Sequence, residues 1–143
     1  MTGGNLDPTR GQLERKLSQR ILALYRSQLG HQPTQVSCNL VEEKLIIVLE
    51  NAITPTEQLL AQNGQEGLAQ QVRSELEAVI QLQLKELIEE VLEVAVTDLL
   101  NDATLETGRM GAIAILESAP KFRDAVTKSK TKPEKASSEG GDG

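Results

Sequence analysis

The hydrophobic residues of this chain change their spacing twice, each time from the period of a helix to the pattern of a strand. Apolar side chains recur in steps of three and four residues over 10–29 and again over 66–92, which places them on one side of a helix. Each stretch is followed by two short apolar runs that a brief link separates, as in a β-hairpin. The pattern predicts two halves, each containing a long helix followed by a hairpin.

Local signals set the boundaries of the first half. Gly30 suits the position after the last helical turn, and Pro33 prevents the helix from resuming. Residues 34–41 then alternate apolar and polar side chains, which is typical of a half-buried strand. Residues 44–50 include five consecutive aliphatic side chains. Such a run is typical of a central strand that is covered on both faces.

The segment Thr54-Pro55-Thr56-Glu57 is the strongest local signal in the chain. The Thr54 side chain can accept a hydrogen bond from the third helical residue, and Glu57 can reach back to the Thr54 amide. Pro55 fits the first helical position, where no amide hydrogen is needed. The segment therefore predicts a short helix over 55–62, ahead of the long one.

The second hairpin is predicted from strands over 94–101 and 110–116. Gly108 lies in the link between them, where a hairpin turn favours a positive φ. The resulting order, αββααββ, predicts an α+β fold in which the long helices cover one face of a four-stranded antiparallel sheet.

One domain is expected over 10–117, between a flexible leader and a tail. Residues 1–9 contain Gly and Pro, and residues 118–143 contain few apolar side chains. A segment of that composition buries too little surface to offset the entropy lost on ordering, so a disordered, charged tail is expected. No stretch of about 18 apolar residues is present, and the start lacks the features of a signal peptide. A cytoplasmic location is therefore expected.

The composition argues against several functions. The chain has one His, one Cys, one Tyr and one Phe, which is too few for a Cys/His zinc site, an internal disulfide or a platform of stacking rings. We find no phosphate-binding loop and no nucleophile–base arrangement. No catalytic residue, metal or cofactor is expected. The net charge of −6 also disfavours binding to nucleic acid.

Three groups of residues have a structural and a functional interpretation. His31 is interpreted as a solvated or helix-capping residue rather than a general base. Cys38 alternates with apolar residues and is interpreted as part of the core. The four glutamates over 86–93 are interpreted as a solvated acidic face, with an acidic docking surface or a weak cation site as the alternative.

The remaining candidates concern contacts between proteins. The helix predicted over 10–29 is basic and the helix predicted over 66–92 is acidic, so the two complement each other within the chain or across a dimer. Arg73 is interpreted as structural, with Glu57, Glu75 or Glu77 as its partner. The candidate interaction residues are Arg15, Arg20, Arg26, Arg73, Glu86, Glu90 and Arg109; the structural residues are Gly30, Pro33, Thr54, Pro55, Glu57 and Gly108.

A homodimer is expected from the length of the second long helix. At 1.5 Å per residue it spans roughly 40 Å, whereas a strand of eight residues spans about 26 Å. The part beyond the sheet would need a partner for its apolar side. Leu84 and Ile88 lie on that side, either in the contact or in the core.

A set of segments distributed along the chain forms a recognisable pattern. They are Gly30 with Pro33, Leu49-Glu50-Asn51-Ala52-Ile53, Thr54-Pro55-Thr56-Glu57-Gln58-Leu59-Leu60, Gly67, Val72-Arg73 and Thr107-Gly108-Arg109. With these segments the chain resembles a small bacterial family named for MpsC, a component of a sodium-translocating, membrane-potential-generating system. The resemblance covers 10–117, and Glu93 and Thr34-Gln35 depart from it where members often have Gly and a basic residue.

The resemblance implies a function near sodium or bicarbonate transport, at the inner face of a membrane. Because the chain has no membrane span of its own, a soluble accessory or regulatory protein that contacts a membrane transport complex is expected. The alternative is a self-associating regulatory or ligand-binding module that is unrelated to transport.

Overall fold

The computed structural model describes residues 7–123, which form three helices and four strands. The elements are α1 (Arg10–Leu29), β1 (Gln35–Val41), β2 (Lys44–Glu50), α2 (Pro55–Gln62), α3 (Glu66–Leu92), β3 (Val96–Thr104) and β4 (Arg109–Leu116). The bounds of all three helices agree with the prediction. Within these residues the chain divides into two compact units, one containing 14–120 and the other 7–13 with 121–123.

The larger unit is built on one antiparallel sheet with the strand order β1-β2-β4-β3. Each hairpin pairs its own two strands, and β2 pairs with β4 to join the hairpins. Since β2 and β4 occupy the centre, the two edges of the sheet belong to β1 and β3. The predicted α+β fold, with two helix-and-hairpin halves, is confirmed.

Alternate residues of the strands point to an inner face that the helices cover. Leu45, Ile47 and Leu49 of β2 are fully buried, as is Ala114 of β4. The Tyr25 hydroxyl of α1 donates a hydrogen bond to the sulfur of Met110 in β4, at 2.9 Å. The core is therefore aliphatic and lies between the helices and this inner face.

Within the larger unit, 14–120, no element covers the opposite, outer face of the sheet. Ile46 of β2 leaves 37% of its surface exposed. The prediction that β2 has both faces covered is therefore wrong for the described part of the chain. The physical reason is that the long helices pack on the same side, so the aliphatic run of β2 divides between a buried and an open face.

The third strand begins and ends later than its predicted range of 94–101. Glu93 ends α3 in the left-handed conformation, with φ 58°. The Glu89 side chain then accepts a hydrogen bond from the Val96 amide at 2.8 Å. The chain turns between these residues, so the ladder starts at Val96 and continues to Thr104.

In the smaller unit, α1 begins with a capping box that the sequence analysis did not identify. Thr9 donates its amide hydrogen to the Gln12 side chain at 2.8 Å, and the Gln12 amide donates to the Thr9 hydroxyl at 3.1 Å. Thr9 also pairs with Arg123, whose amide donates to the Pro8 carbonyl. The rest of the predicted leader and tail, 1–6 and 124–143, lies outside the described residues.

Candidate functional site

The loop over 50–57, between β2 and α2, is held by a dense set of hydrogen bonds. The Glu57 amide donates to the Thr54 hydroxyl at 3.3 Å, and the Thr54 amide donates to the Glu57 carboxylate at 3.1 Å. The predicted capping box is confirmed, with Pro55 in the first helical turn. The box fixes the direction in which α2 leaves the sheet.

Arg73 of α3 completes this arrangement from the opposite side. Its guanidinium donates to both oxygens of Glu57, each at 2.7 Å, and to the carbonyl of Ala52 at 3.1 Å. The side chains are 5% exposed for Arg73 and 0% for Glu57. A bidentate pair with satisfied donors is the geometry in which burial of two opposite charges is tolerated. Glu57 therefore both caps α2 and binds α3 to the loop.

Two further contacts attach the loop to the ends of neighbouring elements. The Ala52 amide donates to the carbonyl of Gly108 at 2.7 Å, and Gly108 has the positive φ of 74° that the turn was predicted to need. His31 lies 2.8 Å, through its Nε2, from the carbonyl of Asn51. That nitrogen therefore donates the hydrogen bond. His31 therefore hydrogen-bonds to the loop over 50–57 and does not act as the cap of α1.

The predicted interaction residues differ in burial and in their ion-pair partners. Arg20 pairs with Glu90 at 3.0 Å, between α1 and α3. Arg109 pairs with Glu50 at 2.9 Å, and both side chains are substantially exposed. Arg73 is buried, so it is not available at the surface. Arg15, Arg26 and Glu86 are exposed.

The glutamates near the end of α3 do not converge on one point. Glu89 bonds the start of β3, Glu90 pairs with Arg20, and Glu93 forms the helix end. Within 7–123, no group of three or more His, Cys, Asp or Glu side chains could hold a metal ion.

Burial sets the ionisation of three groups beside the core. It raises the pKa of Cys38 to about 11, although the Ser18 side chain acts in the opposite direction. The thiol is therefore protonated and unreactive at neutral pH. Burial also raises the pKa of Tyr25, against the opposing effect of Arg73.

Glu77 of α3 is in a less satisfied position. Its Oε2 atom is buried and has no hydrogen-bond partner. Burial raises the pKa of this carboxyl group, Arg73 opposes the shift, and the charges of Asp102 and Glu57 add to it. Arg73 is already engaged with Glu57, so it compensates Glu77 only in part.

The outer face of the sheet carries an aliphatic patch that crosses all four strands. In the central rows, Ile46 is opposite Ile113 and Val48 is opposite Gly111. The name outer sheet face is used below for the aliphatic residues on this side of the sheet together with Gly111. They are Val41, Ile46, Val48, Leu100, Gly111, Ile113 and Ile115. Four of them are 37–52% exposed: Val41, Ile46, Leu100 and Ile113. A shallow depression of ≈ 390 Å³ lies over its middle.

A second apolar surface lies on α3. Leu68, Val79 and Leu82 are 45–62% exposed, and their spacing of eleven and three residues puts them on one side of the helix. We call these three residues the α3 ridge. Leu84 and Ile88, for which the sequence left a dimer contact or the core open, are fully buried and belong to the core.

These features define a class of protein: an antiparallel sheet with helices on one face and an open apolar face on the other. The chain belongs to the MpsC family, described as "Na+-translocating membrane potential-generating system (MpsC)", whose model matches residues 9–118. The resemblance found in the sequence is thereby confirmed. No protein of curated function and no solved structure matches the chain.

The family's description concerns a membrane process, which raises the question of whether a helix of this chain could cross a membrane. None of the helices within 7–123 is long and apolar enough to cross a bilayer.

Proposed function

We propose that this chain is a non-catalytic accessory protein of the membrane-potential-generating system after which its family is named, and that it works through protein contacts. The observation that carries the proposal is the presence of two separate exposed apolar surfaces, the outer sheet face and the α3 ridge. Large exposed apolar surfaces are typical of sites that contact other molecules.

The core supports this interpretation because it is complete without either surface. Leu17 and Ile21 of α1, Leu84 and Ile88 of α3, and Ile47 of β2 are fully buried within the chain. The exposed aliphatic side chains therefore do not complete the fold of the larger unit. They remain available to bind a partner.

The α3 ridge is the surface that we assign to the membrane system. Val79 and Leu82 are three residues apart, a spacing by which a helix packs against another helix. The exposed Glu75 and Glu86 lie seven residues after Leu68 and Val79, on the same side of α3, which would favour a partner with basic side chains beside its apolar ones.

The proposal is tested by crosslinking in the native bacterium, followed by purification of the chain from the membrane fraction. We expect a membrane protein of the sodium-translocating system to be recovered and identified by mass spectrometry. Leu82→Glu places a charge on the α3 ridge and should lower this recovery about tenfold, since burial of an unpaired charge is costly. Ser74→Glu adds the same charge to an exposed position on another side of α3 and should leave recovery unchanged.

A functional measurement accompanies the crosslinking. A strain that lacks this protein should lose sodium-dependent membrane potential, measured with a potential-sensitive dye. The wild-type chain and the Ser74→Glu variant should restore it, and Leu82→Glu should not. Recovery of partners only from the soluble fraction, with a normal membrane potential in the deletion strain, would instead favour the regulatory module unrelated to transport.

A further inference from the structure

We propose that a second copy of this chain covers the outer sheet face, so that the protein forms a dimer in which two four-stranded sheets stack against each other. This inference goes beyond the proposed function, because it concerns how copies of the chain assemble. It holds whether or not the dimer works in a membrane system.

The sequence of β2 is more apolar than its surroundings within the chain require. Its run Leu45-Ile46-Ile47-Val48-Leu49 is typical of a strand buried on both faces. Within the chain the helices bury only the side that carries Leu45, Ile47 and Leu49. A layer packed on the outer sheet face would supply the missing cover.

The outer side of the sheet is broad enough for a weak interface between two copies. Four strands at about 4.8 Å make the sheet roughly 19 Å wide, and seven residues make it about 24 Å long. With the charged ends of the strands included, each copy offers about 450 Å² in projection, and two copies bury roughly 900 Å² in total, the size of a weak or transient interface. A single peptide strand or helix would cover only part of this width. A second sheet, packed about 10 Å away, covers it completely.

The composition of the rest of the given sequence does not match this face. Residues 124–143 contain only Ala125, Val126 and Ala136 as aliphatic side chains, and residues 1–6 contain Met1 and Leu6. These side chains are few and mostly small beside a patch that spans four strands. The composition therefore favours an occupant from another molecule.

The centre of the outer sheet face, on β2 and β4, is complementary to itself. A two-fold axis parallel to the strands, midway between β2 and β4, places β2 of one copy over β4 of the other. Ile46 is level with Ile113, and Val48 is level with Gly111. Ile46 of one copy therefore lies over Ile113 of the other, and Val48 of one copy lies over Gly111 of the other. Ile46 meets an isoleucine, and Val48 meets the position without a side chain. Aligned sheets cross at about 30°, which preserves this register near the axis.

The same axis also pairs polar groups away from the centre. Ser37 of β1 is level with Val48, and Asp102 of β3 is level with Gly111. The rotation therefore brings Ser37 over Asp102 of the second copy, where the hydroxyl can donate to the carboxylate.

The test measures molar mass by light scattering and by sedimentation at micromolar concentration. We expect the wild-type chain to be a dimer. Ile46→Lys or Ile113→Glu should each raise the dissociation constant at least about 100-fold, because each buries an unpaired charge at the interface. Leu100→Glu, at a more exposed position of the same face, is a third variant that leaves the core untouched. Circular dichroism and thermal melting establish that each variant is folded.

Val79→Lys and Leu82→Glu are the matched controls, since they introduce the same charges on the α3 ridge. They should leave the dimer intact. The decisive experiment mixes the Ile46→Lys and Ile113→Glu chains in equal amounts. The two-fold axis places the introduced ammonium over the introduced carboxylate and leaves Ile113 of one chain over Ile46 of the other. A heterodimer should therefore form from two variants that are monomers separately.

Three results would overturn the inference. One is a wild-type chain that stays monomeric throughout the micromolar range. Another is a dimer that persists in all three folded outer-face variants, and the third is a dimer that only the ridge variants dissociate. Absence of the heterodimer in the mixture would exclude the proposed axis and, with it, the proposed dimer.

Discussion

The two faces of the sheet are built from the same kinds of side chain but have different surroundings. Along β2, Leu45, Ile47 and Leu49 are fully buried under the helices, whereas Ile46 between them is 37% exposed. The alternation of side chains along a strand produces this division. The difference shows that hydrophobicity alone does not distinguish residues that form the core from residues that stay exposed. The position of the helices decides which face becomes the core.

The ion pairs differ in the same way. Arg73 and Glu57, on the helix side of the sheet, are almost completely enclosed, and Arg109 and Glu50, on the outer face, remain in contact with water. The enclosed pair joins α3, α2 and the loop after β2, whereas the exposed pair joins two strands that are already hydrogen-bonded. Their contributions to stability should therefore be very different.

Replacement of these two arginines should give the largest contrast. Arg73→Met leaves the carboxylate of Glu57 buried and unpaired, and should lower the free energy of unfolding by about 3–5 kcal/mol. Arg109→Met is the matched control on the outer face and should cost about 0–1 kcal/mol. Urea denaturation of both variants measures the difference. Similar losses for the two variants would contradict the comparison.

Neighbouring isoleucines of β2 provide the second contrast. Ile47→Ala creates a cavity under the helices and should cost about 2–5 kcal/mol. Ile46→Ala removes side-chain atoms from the open face and should cost less than about 1 kcal/mol in the monomer. The two free energies of unfolding should be measured at the lowest workable protein concentration. If the proposed dimer forms, the cost of Ile46→Ala should increase with concentration and the cost of Ile47→Ala should not.

A substitution at the junction between α3 and β3 should have a smaller effect on the free energy of unfolding, and one of opposite sign. Glu93 has a φ of 58°, a conformation that is unfavourable for a residue with a side chain but natural for glycine. Glu93→Gly should therefore raise the free energy of unfolding by about 0.5–1 kcal/mol. The same substitution inside the helix, Glu86→Gly, should lower it by about 1 kcal/mol. Thermal melting of the pair checks the sign, and a lower melting temperature for Glu93→Gly would contradict it.

The smallest effect concerns Glu77 and depends on pH. Its pKa is raised in the folded chain, first by burial, so the folded state holds this proton more tightly than the unfolded state. Stability from this group is complete below the ordinary carboxyl pKa and is lost as pH rises through the folded pKa. Glu77→Gln should therefore stabilise the chain at pH 7 and have little effect at pH 4. Denaturation at both pH values measures this, and an equal effect at both would exclude it.

Much of the fold could be predicted from the sequence because its signals are local. Gly30 ends α1, the Thr54–Glu57 box begins α2, and Gly108 makes the last turn. The capping box at Thr9 was missed although Gln12 follows it at the right spacing. That spacing could have revealed it, because the apolar stripe of α1 starts directly after it at Leu13.

The remaining features depend on contacts between distant segments. The sequence offered Glu57, Glu75 and Glu77 as partners of Arg73, and only the packing of α2 beside α3 selects Glu57. The open face of β2 is a similar case, because an aliphatic run does not specify on which side the helices pack. For Leu84 and Ile88 the sequence left a dimer contact and the core as alternatives, and both residues are in the core, since α3 packs along the sheet with those residues inward.

The place of β2 in the strand order also has a consequence for how the chain folds. Its partners in β1 are close in sequence, but the pairs Leu49–Met110 and Lys44–Ile115 join residues far apart along the chain. Local hairpins form quickly and distant pairings slowly. Until β4 arrives, the aliphatic β2 is an unprotected edge that can pair with another chain. Refolding at high concentration should therefore favour aggregation, and the closing of β2 against β4 should be the step that prevents it.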